Sequence, residues 1–440
     1  MDQVPTTASG PEHNGARLSR TVHEALRFVH AHAREAISVP DIAAAAHLST
    51  RGLQSALRRE LQTSPASYLR GVRLEGVRRD RAHAVVGTRP PRTTGRTLRM
   101  TPDHRARWTV LLAAALTAGL ALAGCTAPTA ARADGFDVTG FQPENADTAL
   151  VDANAAAMDV VGVDGLLLNS TGTKVTAPSR AAKAQRNRAH ANGLTAQLLV
   201  SNYSEADGDF SEPIARKLLT SPANRARVVR SLAADVATGG WDSVMIDLEA
   251  LTPAEKPGLT AFARELRAAV GDDVRLDIAL SASTTAAGYA RLGYDVRALR
   301  APLDHLTLMA YDQHGPWEPD APGPVGSLAW SSKAARALAT LAPADQIVLG
   351  VAGYGYHWKG TRPAGQLSDA QARLRVRKAG ATARWDATVG EWTATLRSGE
   401  VLWWSDARSL RERVALAERL GLTGVAVWSL DLSDRIEPVG

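Results

Sequence analysis

Eight short apolar runs, separated by amphipathic stretches across residues 135–440, constrain this chain more than any other feature. They read as strands at 137–142, 160–169, 194–202, 243–249, 275–282, 305–313, 346–354 and 424–430. Helical periodicity marks the intervals 179–191, 224–238, 257–270 and 407–420. Strand and helix in alternation require parallel strands with crossover helices. Eight such units over about 300 residues predict an α/β fold, a closed (β/α)8 barrel. The interval 359–404 is too long for one connection. It is expected to form a small α+β lobe inserted after the seventh strand, walling one side of a cleft.

The fourth run carries the chemistry. In Gly240-Trp241-Asp242-Ser243-Val244-Met245-Ile246-Asp247-Leu248-Glu249, apolar residues alternate with Met245, Asp247 and Glu249. Asp247 and Glu249 therefore share one face, about 7 Å apart along the strand. Two acids at the end of an apolar strand are costly to bury without a purpose. In a β/α barrel that end is where reactions occur. The plainer alternative is a helix cap followed by a surface glutamate.

Charge is unevenly placed. Residues 1–107 hold 18 Arg and 9 acids, a local +9, while the remaining 33 basic and 36 acidic residues give −3. Such an asymmetry separates a basic segment, suited to nucleic acid or to flanking a membrane segment, from a mildly acidic remainder. The single cysteine, Cys125, excludes an intramolecular disulfide framework. Nine of the ten tryptophans lie from Trp241 onward, which suits a site that stacks sugar faces. Phosphate loops and nucleotide fingerprints are absent, and no His/Cys cluster suggests a metal; His305, His314 and His357 are too scattered. No cofactor is expected.

Residues 1–18 read as disordered. Residues 19–80 carry a helix at 19–33, with Val22, Leu26 and Val29 on one stripe, and then two short helices across a tight turn. The second of these presents Arg51, Gln54 and Arg58, able to contact base edges or phosphates. Residues 42–57 and 63–74 resemble the first helix-turn-helix of the AraC/XylS-type regulator domain, which implies DNA as a partner; the family's second helix-turn-helix is missing. A basic linker, 81–107, follows. Residues 108–125 pair an uncharged run with the closing Leu122-Ala123-Gly124-Cys125. That layout reads as a secretory signal, and its end resembles a lipobox with Cys125 lipidated. A single membrane span is the alternative. Together these imply a bacterial lipoprotein at the cell surface, outside the cytoplasm, with 126–134 as tether. Translation is expected to start at Met100, with residues 1–99 a fusion or gene-model error.

Four strand ends complete the constellation. Beside Asp247 and Glu249 stand Met309-Ala310-Tyr311-Asp312 and Trp317 after the sixth strand, Tyr356 after the seventh, and Trp428 at the eighth. In this order and spacing they resemble glycoside hydrolase family 18, the chitinase-like enzymes, over about 135–440. The strand-three end Val200-Ser201-Asn202-Tyr203 and the segment 403–409 resemble the spore-cortex and peptidoglycan-lytic branch. The resemblance implies a monomeric hydrolase acting on β-1,4 bonds next to N-acetylglucosamine. Glu249 would be the acid and base, Asp247 would orient the substrate acetamide, and Tyr311 and Asp312 would assist. Trp428 would floor the central subsite, with Met309, Trp317 and Tyr356 as further binding residues. Substrate-assisted enzymes of this type need no second carboxylate as nucleophile. One departure matters: Met245 stands where the family has an aspartate, so Asp247 lacks a like-charged neighbour and its pKa is expected to be raised less. Two other readings remain. One is a non-catalytic glycan-binding protein of the same fold. The other is a DNA-binding regulator whose barrel senses sugar.

Overall fold

Each apolar run pairs with two parallel neighbours, and the last closes on the first. The computed structural model describes residues 20–32, 42, 45–46, 136–204, 209–315, 317–318, 321–359 and 362–438. The barrel strands are β1 (Asp137–Pro143), β2 (Val160–Leu167), β3 (Thr195–Ser201), β4 (Ser243–Asp247), β5 (Arg275–Ser281), β6 (His305–Met309), β7 (Ile347–Ala352) and a last strand after the lobe. The lobe contributes β8 (Gly355–Lys359), β9 (Arg362–Leu367), β10 (Arg384–Asp386), β11 (Glu391–Thr395) and β12 (Val401–Trp404), and β13 (Gly424–Trp428) then completes the barrel between β7 and β1. The (β/α)8 architecture expected from the alternation is therefore present.

Alternation of side chains decides what fills the barrel. Outward residues such as Val161, Val163, Val244, Ile246, Leu306 and Leu308 are buried under the surrounding helices in one large apolar core. Inward residues stack in layers. The lowest is polar: Gln197 Nε2 donates to Ser243 Oγ and to Asp277 Oδ2, both at 2.8 Å. Arg275 pairs there with Asp277 at 2.7 Å and Asp137 at 2.5 Å. The middle layer is apolar, with Phe141, Leu199, Met245, Ala279, Val348 and Ala426 packed together. The third layer, at the C-terminal mouth, carries the acids.

The helices follow the expected pattern. Ser179 caps Arg180–Ala191 through its side chain, and Ser221 caps Pro222–Gly239, which ends at Gly240 in the left-handed region (φ 70°). Glycine accepts that conformation without a Cβ penalty. Asp406 accepts from the backbone N–H groups of Arg408 and Ser409 to start Ala407–Arg419.

Strand ends and the start of the lobe differ from those read in the sequence. Several strands end two to four residues early: β4 at Asp247, β6 at Met309 and β7 at Ala352. Beyond those points the chain leaves the ladder to build the site, and Ala250 and Asp312 sit at φ 57° and 58°. The lobe begins at Gly355 rather than near 359, in a sheet of order β9-β8-β12-β11-β10. A Cβ on Gly355 would lie 2.3 Å from the Trp404 Cβ, so the close pairing of β8 with β12 depends on this glycine. The helix Asp369–Lys378 makes the lobe α+β as expected.

At the N-terminus the helix Arg20–His32 forms, with Val22, Ala25 and Val29 buried and Leu26 half-buried. Arg51, Gln54 and Arg58, and the segment ending at Cys125, lie outside the described residues. Among the described residues no helix is long and apolar enough to cross a membrane.

Candidate active site

The cleft lies at the C-terminal mouth of the barrel, a cavity of about 140 Å³ whose lining includes Asp247, Glu249, Tyr311, Asp312 and Trp428. Met245, Leu199, Ala279 and Phe141, from the apolar middle layer, form its floor. Gln366 reaches it from β9 of the lobe, so the insertion does wall one side.

Asp247 is the last residue of β4 and is buried, 6% exposed. Its Oδ1 has no hydrogen-bond partner among the described residues. Burial raises its pKa well above the carboxylate range, and the charges of Glu249 and Asp164 add to this. Met245 indeed provides no charge, but Asp164 on β2 was not anticipated as a neighbour.

Glu249 lies just past the strand, half-buried. Asn202, itself fully buried, fixes its backbone: the Glu249 N–H donates to Asn202 Oδ1 and Asn202 Nδ2 donates to the Glu249 carbonyl, each at 2.9 Å. Ser281 Oγ stands 3.4 Å from Glu249 Oε2 and is backed by the Tyr294 hydroxyl at 3.2 Å. The Glu249 pKa is raised to about 7, first by burial, then by the charge of Asp312, against the Ser281 hydrogen bond, with Asp209 adding to the rise. A carboxylic acid that keeps its proton near neutral pH is suited to general acid work.

Tyr311 and Asp312 follow β6. Burial and then the charges of Glu249, Asp247 and Asp312 push the Tyr311 phenol well up, so it stays a hydrogen-bond donor. Asp312 is exposed at the mouth, but its Oδ1 turns onto the hydroxyls of Tyr354 at 2.5 Å and Tyr356 at 2.9 Å. Burial of that carboxyl end pushes its pKa up against these two bonds.

Trp428 ends β13, half-buried against Phe141 with ring centroids 5.7 Å apart. Met309 is half-buried and lines the cavity. Trp317 is 53% exposed and meets Tyr356 edge-on at 6.1 Å. Tyr356, by contrast, is 6% exposed, and its hydroxyl is engaged by Asp312. It supports the wall of the cleft and does not line the cavity. Asp242 lies at the opposite end of β4, bonded to His190 Nε2 at 2.7 Å and to the Ala196 N–H at 2.8 Å, and takes no part in the cleft.

Sequence reading missed Asn202, Ser281, Tyr294 and Asp164. Asn202 and Ser281 each close an apolar strand with a small polar residue, a signal shared with many strand ends. The three histidines set aside as ligands each face a carboxylate: His305 with Asp277, His314 with Glu318 and His357 with Glu400.

A β/α barrel whose fourth strand leads a buried aspartate and a glutamate of raised pKa into an aromatic-walled cleft is the layout of a glycoside hydrolase. The comparisons agree: the profile of Glycosyl hydrolases family 18 matches residues 152–433, and the chain belongs to that family. The cortical fragment-lytic enzyme of Bacillus subtilis (strain 168) is 27% identical over 263 residues, 56% of this chain and 59% of that protein. The chain thus spans little more than half the length of the relatives it matches. The chitinase from Chromobacterium violaceum superposes with a TM-score of 0.62 at 25% identity, covering 68% of this chain and 95% of that one. The spore cortex-lytic enzyme SleL of Bacillus cereus gives 0.61 at 19% identity over 68% and 71%.

Proposed function

We propose that the chain hydrolyses β-1,4 bonds next to N-acetylglucosamine in chitin or peptidoglycan glycan, by substrate-assisted retaining catalysis. The observation that carries this reading is the Asp247–Glu249 pair, two residues apart where β4 ends, with the Glu249 pKa raised to about 7. Ordinary retaining enzymes flank the bond with two carboxylates about 5 Å apart, one of them a nucleophile. In the family to which the chain belongs the nucleophile is instead the substrate's own 2-acetamido oxygen. Glu249 gives its proton to the glycosidic oxygen. The acetamide oxygen closes on the anomeric carbon as the leaving group departs. Asp247 receives the acetamide N–H and balances the positive charge of the oxazolinium ion. Tyr311 donates a hydrogen bond to the acetamide oxygen, and Trp428 stacks the sugar at the cleavage point. Glu249 then takes a proton from water, which opens the ring and returns the enzyme.

The names of the relatives, a chitinase and cortex-lytic enzymes, support this substrate class. A lipid anchor at Cys125 would place the enzyme at the outer face of the cytoplasmic membrane, within reach of cell-wall glycan.

A second reading is favoured by Met245, 1% exposed in the layer beneath Asp247: a glycan-binding protein without turnover. One experiment separates the two. The full chain and Glu249→Gln are offered N-acetylglucosamine oligomers and peptidoglycan, with products identified by mass. Cleavage by the wild type alone supports the hydrolase. Binding without cleavage by both supports the second reading.

A further inference from the structure

The inner face of β2 holds a carboxylate that the mechanism above does not use. Residues alternate along this strand: Val161 and Val163 belong to the outer core, so Gly162 and Asp164 face the barrel interior. A Cβ on Gly162 would strike the Phe141 ring of the inner layer, which agrees with that direction. The register then fixes the level of Asp164. It stands opposite Leu199 of β3, and Leu199 stands opposite Met245 of β4. Because barrel strands are tilted, register partners climb from one strand to the next: Asp277 of the lowest layer pairs with Met245 of the middle one. Asp164, two residues beyond Gly162 of the middle layer, therefore stands one layer above Met245, at the mouth with Asp247 and two strands away from it.

Three further observations concern its purpose. The ladder between β2 and β3 shifts register between Asp164 and Leu166. Such a bulge re-aims a side chain and is common beside active sites. The Asp164 side chain makes no hydrogen bond or ion pair among the described residues, although its backbone carbonyl accepts from the Glu144 N–H at 2.9 Å. A half-buried carboxylate with no partner does nothing for the fold. Asp247, whose Oδ1 is likewise unpartnered, experiences its charge.

We propose that Asp164 is a positioning residue of the catalytic pair: from β2 it supplies the second carboxylate beside Asp247 that the Met245 position on β4 does not, and so governs which of Asp247 and Glu249 holds the proton. This rests on the reading of Glu249 as the acid. The surroundings are all acidic or neutral. Asp164 is faced by Glu144, after β1, on one side, and its own charge acts on Asp247 on the other. Asp247 is faced in turn by Glu249 and by the phenols of Tyr311 and Tyr294. No cation acts on either aspartate among the described residues. Burial and the Glu144 charge raise Asp164 to about 6, so it carries charge at neutral pH, and that charge adds to the rise of the Asp247 pKa.

The test uses the full chain, with pH profiles of kcat/KM for wild type, Asp164→Asn, Asp164→Ser and Asp164→Glu on an N-acetylglucosamine oligomer. Removing the charge lowers the titration of Asp247 but leaves Glu249, on which Asp164 does not act. One limb of the profile should move to lower pH, on the order of half a unit for two partly buried carboxylates on strands two apart, and the other should stay. Asn and Ser should agree, so one misfolded variant does not decide the matter, and Glu should keep the wild-type limbs. Limbs that stay in place in Asn and Ser, with or without a loss of rate, overturn the proposal. The same titration is followed without turnover by carbon-13 NMR of labelled aspartate carboxyls, with Asp247 assigned through Asp247→Asn. An inactive wild type would overturn the functional reading instead. The NMR titration still decides the inference in that case: an Asp247 resonance that titrates lower in Asp164→Asn supports it, and an unmoved one refutes it.

Discussion

Asn202 and Glu249 exchange two hydrogen bonds, side-chain amide to backbone amide, each at 2.9 Å. The bond pair crosses from the end of β3 to the turn after β4, where Ala250 takes a left-handed conformation and no ladder bond holds the chain. Asn202 thus does what the sheet no longer can: it sets the height and direction of the Glu249 side chain.

Asn202→Ala should therefore lower kcat with little change in KM. A misplacement of about 1 Å in a reacting group costs on the order of 100-fold in rate. Leaving the buried Glu249 N–H and carbonyl without partners should also cost about 1–3 kcal/mol in stability. Steady-state kinetics and a urea melt check both. Loss of stability with unchanged kcat would show that Glu249 finds its place without Asn202.

The acid form of Glu249 defines the alkaline limit of activity. Its pKa of about 7 reflects burial first and the Asp312 charge second. Asp312→Asn removes that charge, the proton leaves at lower pH, and the Glu249 limb should move down. Stability gives a second readout. A carboxylate whose folded pKa is raised above its unfolded value costs stability once pH exceeds the unfolded value, near 4.3. The cost grows until pH passes the folded value and stays constant beyond it. Glu249→Gln should therefore raise Tm at pH 8 relative to wild type, and the gain should vanish at pH 4. Thermal melts at the two pH values suffice; an equal difference at both would contradict the assignment.

Beneath the site, the polar layer is built around Asp277, which Arg275 and His305 both face. Burial works against ionised Asp277, yet the Arg275 charge and the hydrogen bonds from His305 and Arg275 outweigh it, and its pKa is lowered. A depressed carboxylate contributes stability that is present above the unfolded pKa and is lost as pH falls through the folded one. Arg275→Met should cost about 3–5 kcal/mol near neutral pH, because Asp277 is left buried without its partner. The deficit should shrink in acid, where Asp277 takes up a proton in both proteins. Denaturant melts from pH 3 to 7 measure this directly.

Much of this architecture was legible in the sequence because parallel barrel strands are continuous apolar runs, and the acids of β4 interrupt one at a fixed parity. Asp247, Glu249, Tyr311, Asp312 and Trp428 could be found that way, and the cavity brings them together. Tyr356 was misjudged because an aromatic at a strand end looks the same whether it faces a ligand or a neighbouring carboxylate. Strand ends were placed too late for a related reason. The residues beyond Asp247, Met309 and Ala352 keep apolar alternation while their backbone bonds go to side chains and the lobe. Asp164 was invisible for want of register: only the pairing of β2 with β1 and β3 sets it at the mouth, one layer above Met245.

The lobe is tied to the site through a buried ion pair. Arg413, on the helix that precedes β13, pairs with Glu391 of β11 at 2.9 Å, and both are almost fully buried. Glu391 also accepts from the N–H groups of Val325 and Gly326, both at 2.8 Å. Arg413 Nη1 donates to the Gly390 carbonyl at 2.6 Å. Gly326 packs so closely on the Ala310 carbonyl that a Cβ there would lie 2.4 Å away, and Val325 accepts from the Gln313 N–H at 2.7 Å. The chain of contacts thus runs from the lobe to the segment that presents Tyr311 and Asp312. Burial raises the Glu391 pKa despite the Arg413 charge and the two N–H donors, so the pair is held against a desolvation cost. Removing one partner leaves the other charge buried alone, and Glu391→Ala should destabilise the protein by about 3–5 kcal/mol. Replacing both residues, in Glu391→Leu with Arg413→Met, should recover most of that loss. If the pair also holds the site, the double variant should regain stability but not activity, because no group then fixes the N–H donors of Val325 and Gly326. KM should rise and kcat should fall together, since Tyr311 and the wall bearing Gln366 lose their common support. A double variant with wild-type kinetics would show that packing alone holds this segment in place.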